Sequence, residues 1–152
     1  MTYVMNNWII KTTLFSLLIV YSALGFTETH RDSVSKEEVN GTFIMKFPAP
    51  HNDLSNTLTV RALGGGKINI SFNLVYPYEV NGELQANTGE LSGIASIKGD
   101  TAVYSSSEYG QCTITLTFIK PGMLSVKQEG SDADCGFGHN VYADGTYYKK
   151  QK

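Results

Sequence analysis

From Gly41 onward the chain alternates apolar and polar positions with a period of two. Phe43, Met45 and Phe47 alternate with Ile44 and Lys46, and Ile68, Ile70, Phe72 and Leu74 alternate with Asn69, Ser71 and Asn73. Successive side chains of a strand point to opposite faces, so this pattern predicts strands with one dry and one wet face. The clearest is CTITLTFI, in which Cys112, Ile114, Leu116 and Phe118 share one face and Thr113, Thr115 and Thr117 the other. Leu58, Val60 and Ala62 repeat the pattern, as do Glu90–Ile97, Thr101–Ser105, Met123–Gln128 and Thr146–Lys149, which makes eight segments. Gly64-Gly65-Gly66, Asn81-Gly82, Gly99-Asp100, Pro121-Gly122 and Asp144-Gly145 supply turn residues between them.

Strands joined by short returns must bury their apolar face, either by closing into a barrel or by stacking two sheets. The expected fold is therefore all-β: one small antiparallel up-and-down barrel of about eight strands, with a β-sandwich as the alternative. Gly41-Thr42-Phe43 and Gly145-Thr146-Tyr147 are short enough to pair with each other, which removes the exposed sheet edges. Inward-facing Phe43, Phe47, Phe72 and Phe118 are large enough to fill such a barrel. Tyr76-Pro77-Tyr78 reads as the end of a strand.

The N-terminus breaks the pattern. TTLFSLLIVYSALGF, residues 12–26, is apolar, is preceded by Lys11 and is followed at once by polar residues. That layout is a secretory signal peptide over residues 1–25, with small residues at Ala23 and Gly25 for cleavage before Phe26. Residues 26–40 form a polar leader and 41–150 the barrel domain. Export to a periplasm or the extracellular space follows, with no membrane span left after processing. Cys112 and Cys135 are the only cysteines, and an even pair in an oxidising compartment is expected to close as a disulfide.

Composition narrows the function classes. The chain has 152 residues, 41% hydrophobic, with 12 Lys and Arg against 14 Asp and Glu. It lacks the basic excess that phosphate contacts need, so nucleic acid is excluded as a partner. No P-loop, dinucleotide fingerprint, zinc-ligand spacing or nucleophile elbow occurs, and no cofactor is expected.

Three features carry candidate chemistry. The stretch QEGSDADCGFGHNVYADGTY, residues 128–147, is too long for a simple hairpin and is rich in Gly and Asp, as functional loops often are. Asp132-Ala133-Asp134 with Gly136 looks like the opening of a calcium loop, but the later alternate ligands and terminal Glu are missing, so no metal is assigned. His139, beside Asp132, Asp134 and Glu129, suits a general base yet lacks a nucleophile; Ser105–Ser107 and Tyr109 come near only if the disulfide folds the loop over them. Tyrosines at strand ends offer a stiff apolar face with a polar tip for recognition. The candidate binding residues are Tyr76, Tyr78, Tyr109, Phe137, His139 and Tyr142.

The segment from Ala102-Val103-Tyr104 through Cys112, Val126-Lys127-Gln128 and Cys135-Gly136-Phe137-Gly138 to Gly145-Thr146-Tyr147 resembles the ending of small exported bacterial proteins of unassigned function. In architecture the chain is similar to lipocalin-like barrels and periplasmic lysozyme inhibitors, although the lipocalin Gly-x-Trp is absent; the sole Trp is Trp8. The resemblance names no activity; the disulfide-fixed Gly- and Tyr-rich loop on a small rigid scaffold points to a non-enzymatic exported binding protein of inhibitor, immunity or envelope-associated type, its partner another protein or an envelope component. A lipocalin-like carrier of a small apolar ligand is the alternative, and a hydrolase or metal site around His139 is the third reading.

Overall fold

A computed structural model of the protein describes residues 30–151; the expected signal peptide lies outside them. Eight strands form a closed barrel in chain order: β1 Gly41–Lys46, β2 Ser55–Gly64, β3 Lys67–Val80, β4 Glu83–Lys98, β5 Thr101–Ser106, β6 Cys112–Lys120, β7 Met123–Glu129 and β8 Gly145–Lys149. Every neighbour is antiparallel, and β1 pairs with β8 through Phe43↔Lys149 and Ile44↔Tyr148. The expected barrel is present. Closure uses the end of β8, whereas the sequence suggested that Gly145–Tyr147 would do so; those residues pair with β7.

Alternation along the strands fills the interior. Phe43, Leu58, Ile70, Phe72, Leu74, Ile114, Leu116, Phe118, Leu124 and Tyr147 are fully buried. Phe43 meets Phe118 edge to face at 6.3 Å, and Phe72 meets Tyr147 in the same way, the geometry that ring quadrupoles favour. Phe47 departs from the expected set: it follows the end of β1 and is only half-buried.

The two ends of the barrel differ. The turn end carries the short returns at 64–66, 99–100 and 121–122, and the segment 30–40 folds across it. There a one-turn helix α1, Lys36–Val39, is capped reciprocally by Ser35 and Glu38 and buries Val39. Arg31 donates to Glu38 Oε1 at 2.6 Å and to the Phe118 carbonyl. Buried Asp100 accepts from the Arg31 backbone N–H at 2.7 Å and from the Thr101 hydroxyl at 2.9 Å, with the His30 ring Nδ1 at 2.9 Å. Burial opposes ionisation of Asp100, but these donors outweigh it and hold its pKa down at about 2.

The loop end carries the long connections and a hairpin that outgrows the barrel. β3 does not stop at Tyr76-Pro77-Tyr78; it runs on to Val80, turns at Asn81-Gly82 and returns as β4 from Glu83, seven residues before the expected start. Asn81 and Gly82 both have positive φ, 52° and 82°, as a two-residue hairpin turn of matching twist requires. Among the described residues no helix is long and apolar enough to cross a membrane.

Candidate functional site

The loop end gathers most of the residues that the sequence singled out. Its centre is the 130–144 connection, which lies over the barrel mouth and is fixed in three ways. Cys135 is bonded to Cys112 at the start of β6, closing a loop worth about 3 kcal/mol on chain-entropy reasoning. Phe137, Val141 and Ala143 turn inward and are buried. They fit because Gly89 has no side chain: a Cβ there would lie 2.8 Å from the Phe137 ring and 2.9 Å from Val141.

The third tie is a girdle of polar side chains facing into the barrel beneath the loop. Gln128 Oε1 accepts from the Ala143 N–H at 2.9 Å, while its amide nitrogen donates to the carbonyls of Gly130 and Ser131. The Tyr147 hydroxyl donates to the Ala143 carbonyl at 3.1 Å, and burial keeps its phenol protonated far above the ordinary tyrosine range. Asn56 hydrogen-bonds the same hydroxyl and accepts from Val75 N–H at 2.8 Å. Buried backbone groups must be paired or destabilise the fold, and these three side chains pair them. The period-two pattern places Asn56 and Gln128 on the inward face, and a polar residue at an inward position was the available signal for this girdle.

The acidic residues of the loop serve the loop itself. Asp132 accepts from the backbone N–H of Ala133 at 2.8 Å and of Asn140 at 2.6 Å, which lower its pKa. Asp134 accepts from the backbone N–H and hydroxyl of Ser131, with the same consequence. The resemblance to a calcium loop is thus an arrangement of local caps, and among the described residues no three His, Cys, Asp or Glu side chains are grouped to hold a metal ion. His139 points outward, its side chain 82% exposed, with Nδ1 3.7 Å from Asp132 Oδ2. Its carbonyl accepts from the Asn87 side chain at 2.7 Å, which ties the loop to β4.

The aromatic candidates divide. Phe137 belongs to the plug and offers no surface. Tyr109 and Tyr142 are exposed, and Tyr109 lies over Gly136, where a Cβ would come within 2.8 Å of its ring. Tyr76 and Tyr78 stand on the protruding ribbon, partly exposed together with Val80 and Leu84. By alternation Tyr76, Tyr78 and Val80 continue the face of Ile70, Phe72 and Leu74 past the rim of the barrel. Val80 and Leu84 were not singled out from the sequence; counting the alternation outward from Leu74 to Asn81-Gly82 would have found Val80.

The disulfide is of the kind that persists in oxidising compartments. No protein-family model matches the chain, and it has no match among curated proteins or solved structures.

Proposed function

We propose that the protein is an exported, non-enzymatic binding protein that docks another macromolecule, a protein or an envelope component, with its loop end. The observation that carries this reading is the β3–β4 ribbon. Beyond the rim it has no core to cover, yet it displays Tyr76, Tyr78, Val80 and Leu84 to solvent. Exposed apolar groups concentrated on a projecting element mark contact surfaces, and the disulfide, plug and girdle give the ribbon a rigid base, which lowers the entropy lost on docking.

Packing weighs against the carrier alternative, because large side chains occupy the interior and both mouths are covered. The His139 alternative has little geometric support, since Asp132 is engaged by backbone donors and the imidazole faces water. Native mass spectrometry of protein recovered from its own host tests the reading. A companion macromolecule that is lost in a Tyr76→Ala/Tyr78→Ala variant supports it, whereas a bound species of a few hundred daltons overturns it in favour of carriage.

A further inference from the structure

The barrel wall is not paired along its whole height. β4 and β5 are joined only through Ser96↔Val103, Ile97↔Ala102 and Lys98↔Thr101, near the turn end. Above that, β5 continues on β6 to Ser106 and β4 continues on β3 to Glu83, each without the other in the ladder. Where the ladder ends, Tyr104 packs against Gly93. A Cβ on Gly93 would stand 2.3 Å from Tyr104 Cε2, so the ring lies against the β4 backbone at the seam.

The direction of the β4 backbone groups along this seam follows from two hydrogen bonds. Thr88 O accepts from Gly138 N–H, away from β3, whereas Ile97 N–H turns to Gly66 O on the β3 side. Backbone groups alternate in direction along an antiparallel strand. The N–H and C=O of Glu90, Ser92 and Ile94 therefore face the seam, and Ile94 is 58% exposed. A cleft of about 160 Å³ opens there, walled by Glu90, Leu91, Tyr104, Glu108, Tyr109 and Asp134.

Charge on this side has one sign. Between Lys67 and Lys120 the sequence holds a single Lys or Arg, Lys98, and it sits at the opposite end of the barrel. Glu79, Glu83, Glu90 and Glu108 lie in the same stretch, and Asp134 comes over from the loop. Unpaired strand edges template a further strand, and complementary charge selects which one.

We infer that the β4 edge from Glu90 to Ile94 accepts an extended, Lys- or Arg-bearing segment of a partner protein as a short added strand. Its backbone bonds to Glu90, Ser92 and Ile94, its cationic side chain enters the cleft between Glu90, Glu108 and Asp134, and the alternate side chain covers Ile94. The inference rests on the binding-protein reading above and names the partner's chemistry.

The probe is the peptide acetyl-Lys-Val-Arg-Val-Lys-amide, titrated into the isotopically labelled mature protein by NMR, with acetyl-Glu-Val-Glu-Val-Glu-amide as control. Expected are shifts and slowed hydrogen exchange at the Glu90, Ser92 and Ile94 amides with the basic peptide alone, weakened by added salt. Ser92→Pro removes a seam-facing N–H and leaves the β3–β4 backbone bonds in place, giving up the Ser71–Ser92 hydroxyl bond at 2.9 Å, and lowers affinity at least tenfold; Ser92→Ala, which loses only that hydroxyl bond, keeps the affinity. The surface variant Glu90→Lys/Glu108→Lys reverses the preference between the two peptides, and it decides the matter if Ser92→Pro fails to fold. Equal binding of both peptides, no binding up to millimolar concentration, or shifts that leave those three amides unmoved each overturn the inference. A native partner that survives Ser92→Pro but is lost in Tyr76→Ala/Tyr78→Ala overturns the seam alone; absence of any macromolecular partner overturns the reading beneath it.

Discussion

The two ends of this barrel solve one problem with different chemistry. Both must cover an apolar interior. The turn end does so with a local strap, residues 30–40, held by ionic and charge-assisted bonds among His30, Arg31, Glu38 and Asp100 around buried Val39. The loop end uses a covalent bond, three inward side chains and a neutral polar girdle. A strap of charges responds to pH, while a covalently anchored plug responds to reduction. The rigid end is also the one that projects aromatic residues into solvent, which is what a preorganised contact surface requires.

Reduction or removal of the disulfide is the strongest way to separate the two ends. Cys112→Ser/Cys135→Ser should lower unfolding stability by about 3 kcal/mol in a urea titration. Hydrogen exchange should rise over 130–144 and stay unchanged over 30–40; a uniform rise along the chain would show that the ends are not independent. Gln128→Leu leaves the Ala143 N–H and the Gly130 carbonyl without their side-chain partner, while the Ser131 carbonyl keeps the Cys135 N–H, and should cost about 1–3 kcal/mol, read in the same titration with faster exchange at Ala143.

Acid acts on the other end. The pKa of Asp100 lies at about 2 in the folded chain against an ordinary value of about 3.9. Its contribution to stability is therefore complete above pH of about 4 and is lost as pH falls through about 2. Asp100→Asn should destabilise by about 1.5–3 kcal/mol at neutral pH, the scale of a hydrogen bond to a charged group, and should flatten the acid dependence in that window. Unaltered acid dependence would remove Asp100 from the account. Smallest of all in stability is Tyr76→Ser/Tyr78→Ser, expected within about 0.5 kcal/mol of the parent because the ribbon covers no core. The same variant should abolish partner binding, and that opposition between the two readouts sharpens the division of labour.

Much of this was legible in the chain itself. The alternation of CTITLTFI returns as a strand with Cys112, Ile114, Leu116 and Phe118 buried, and the pairing of Cys112 with Cys135 needed only parity and an oxidising destination. Asn81-Gly82 was readable as a turn, but the strands around it were cut short, because Tyr-Pro-Tyr carries a proline that argues against a central strand. In the ribbon Pro77 has a neighbouring strand on one side only, where the missing N–H does no harm. Phe137 was taken for surface because apolar residues in a glycine-rich loop have no period to show which way they point.

Periodicity, turn residues and a count of two cysteines were enough to specify the strands, their order, the inward face and the disulfide. That the 130–144 loop plugs the mouth, that 30–40 straps the other end, and that β4 and β5 part above Ser96 emerged only from the folded barrel. Those outcomes depend on which side chains meet across the barrel, Gly89 under Phe137 and Gly93 under Tyr104, and distances of that kind leave no trace in a local pattern.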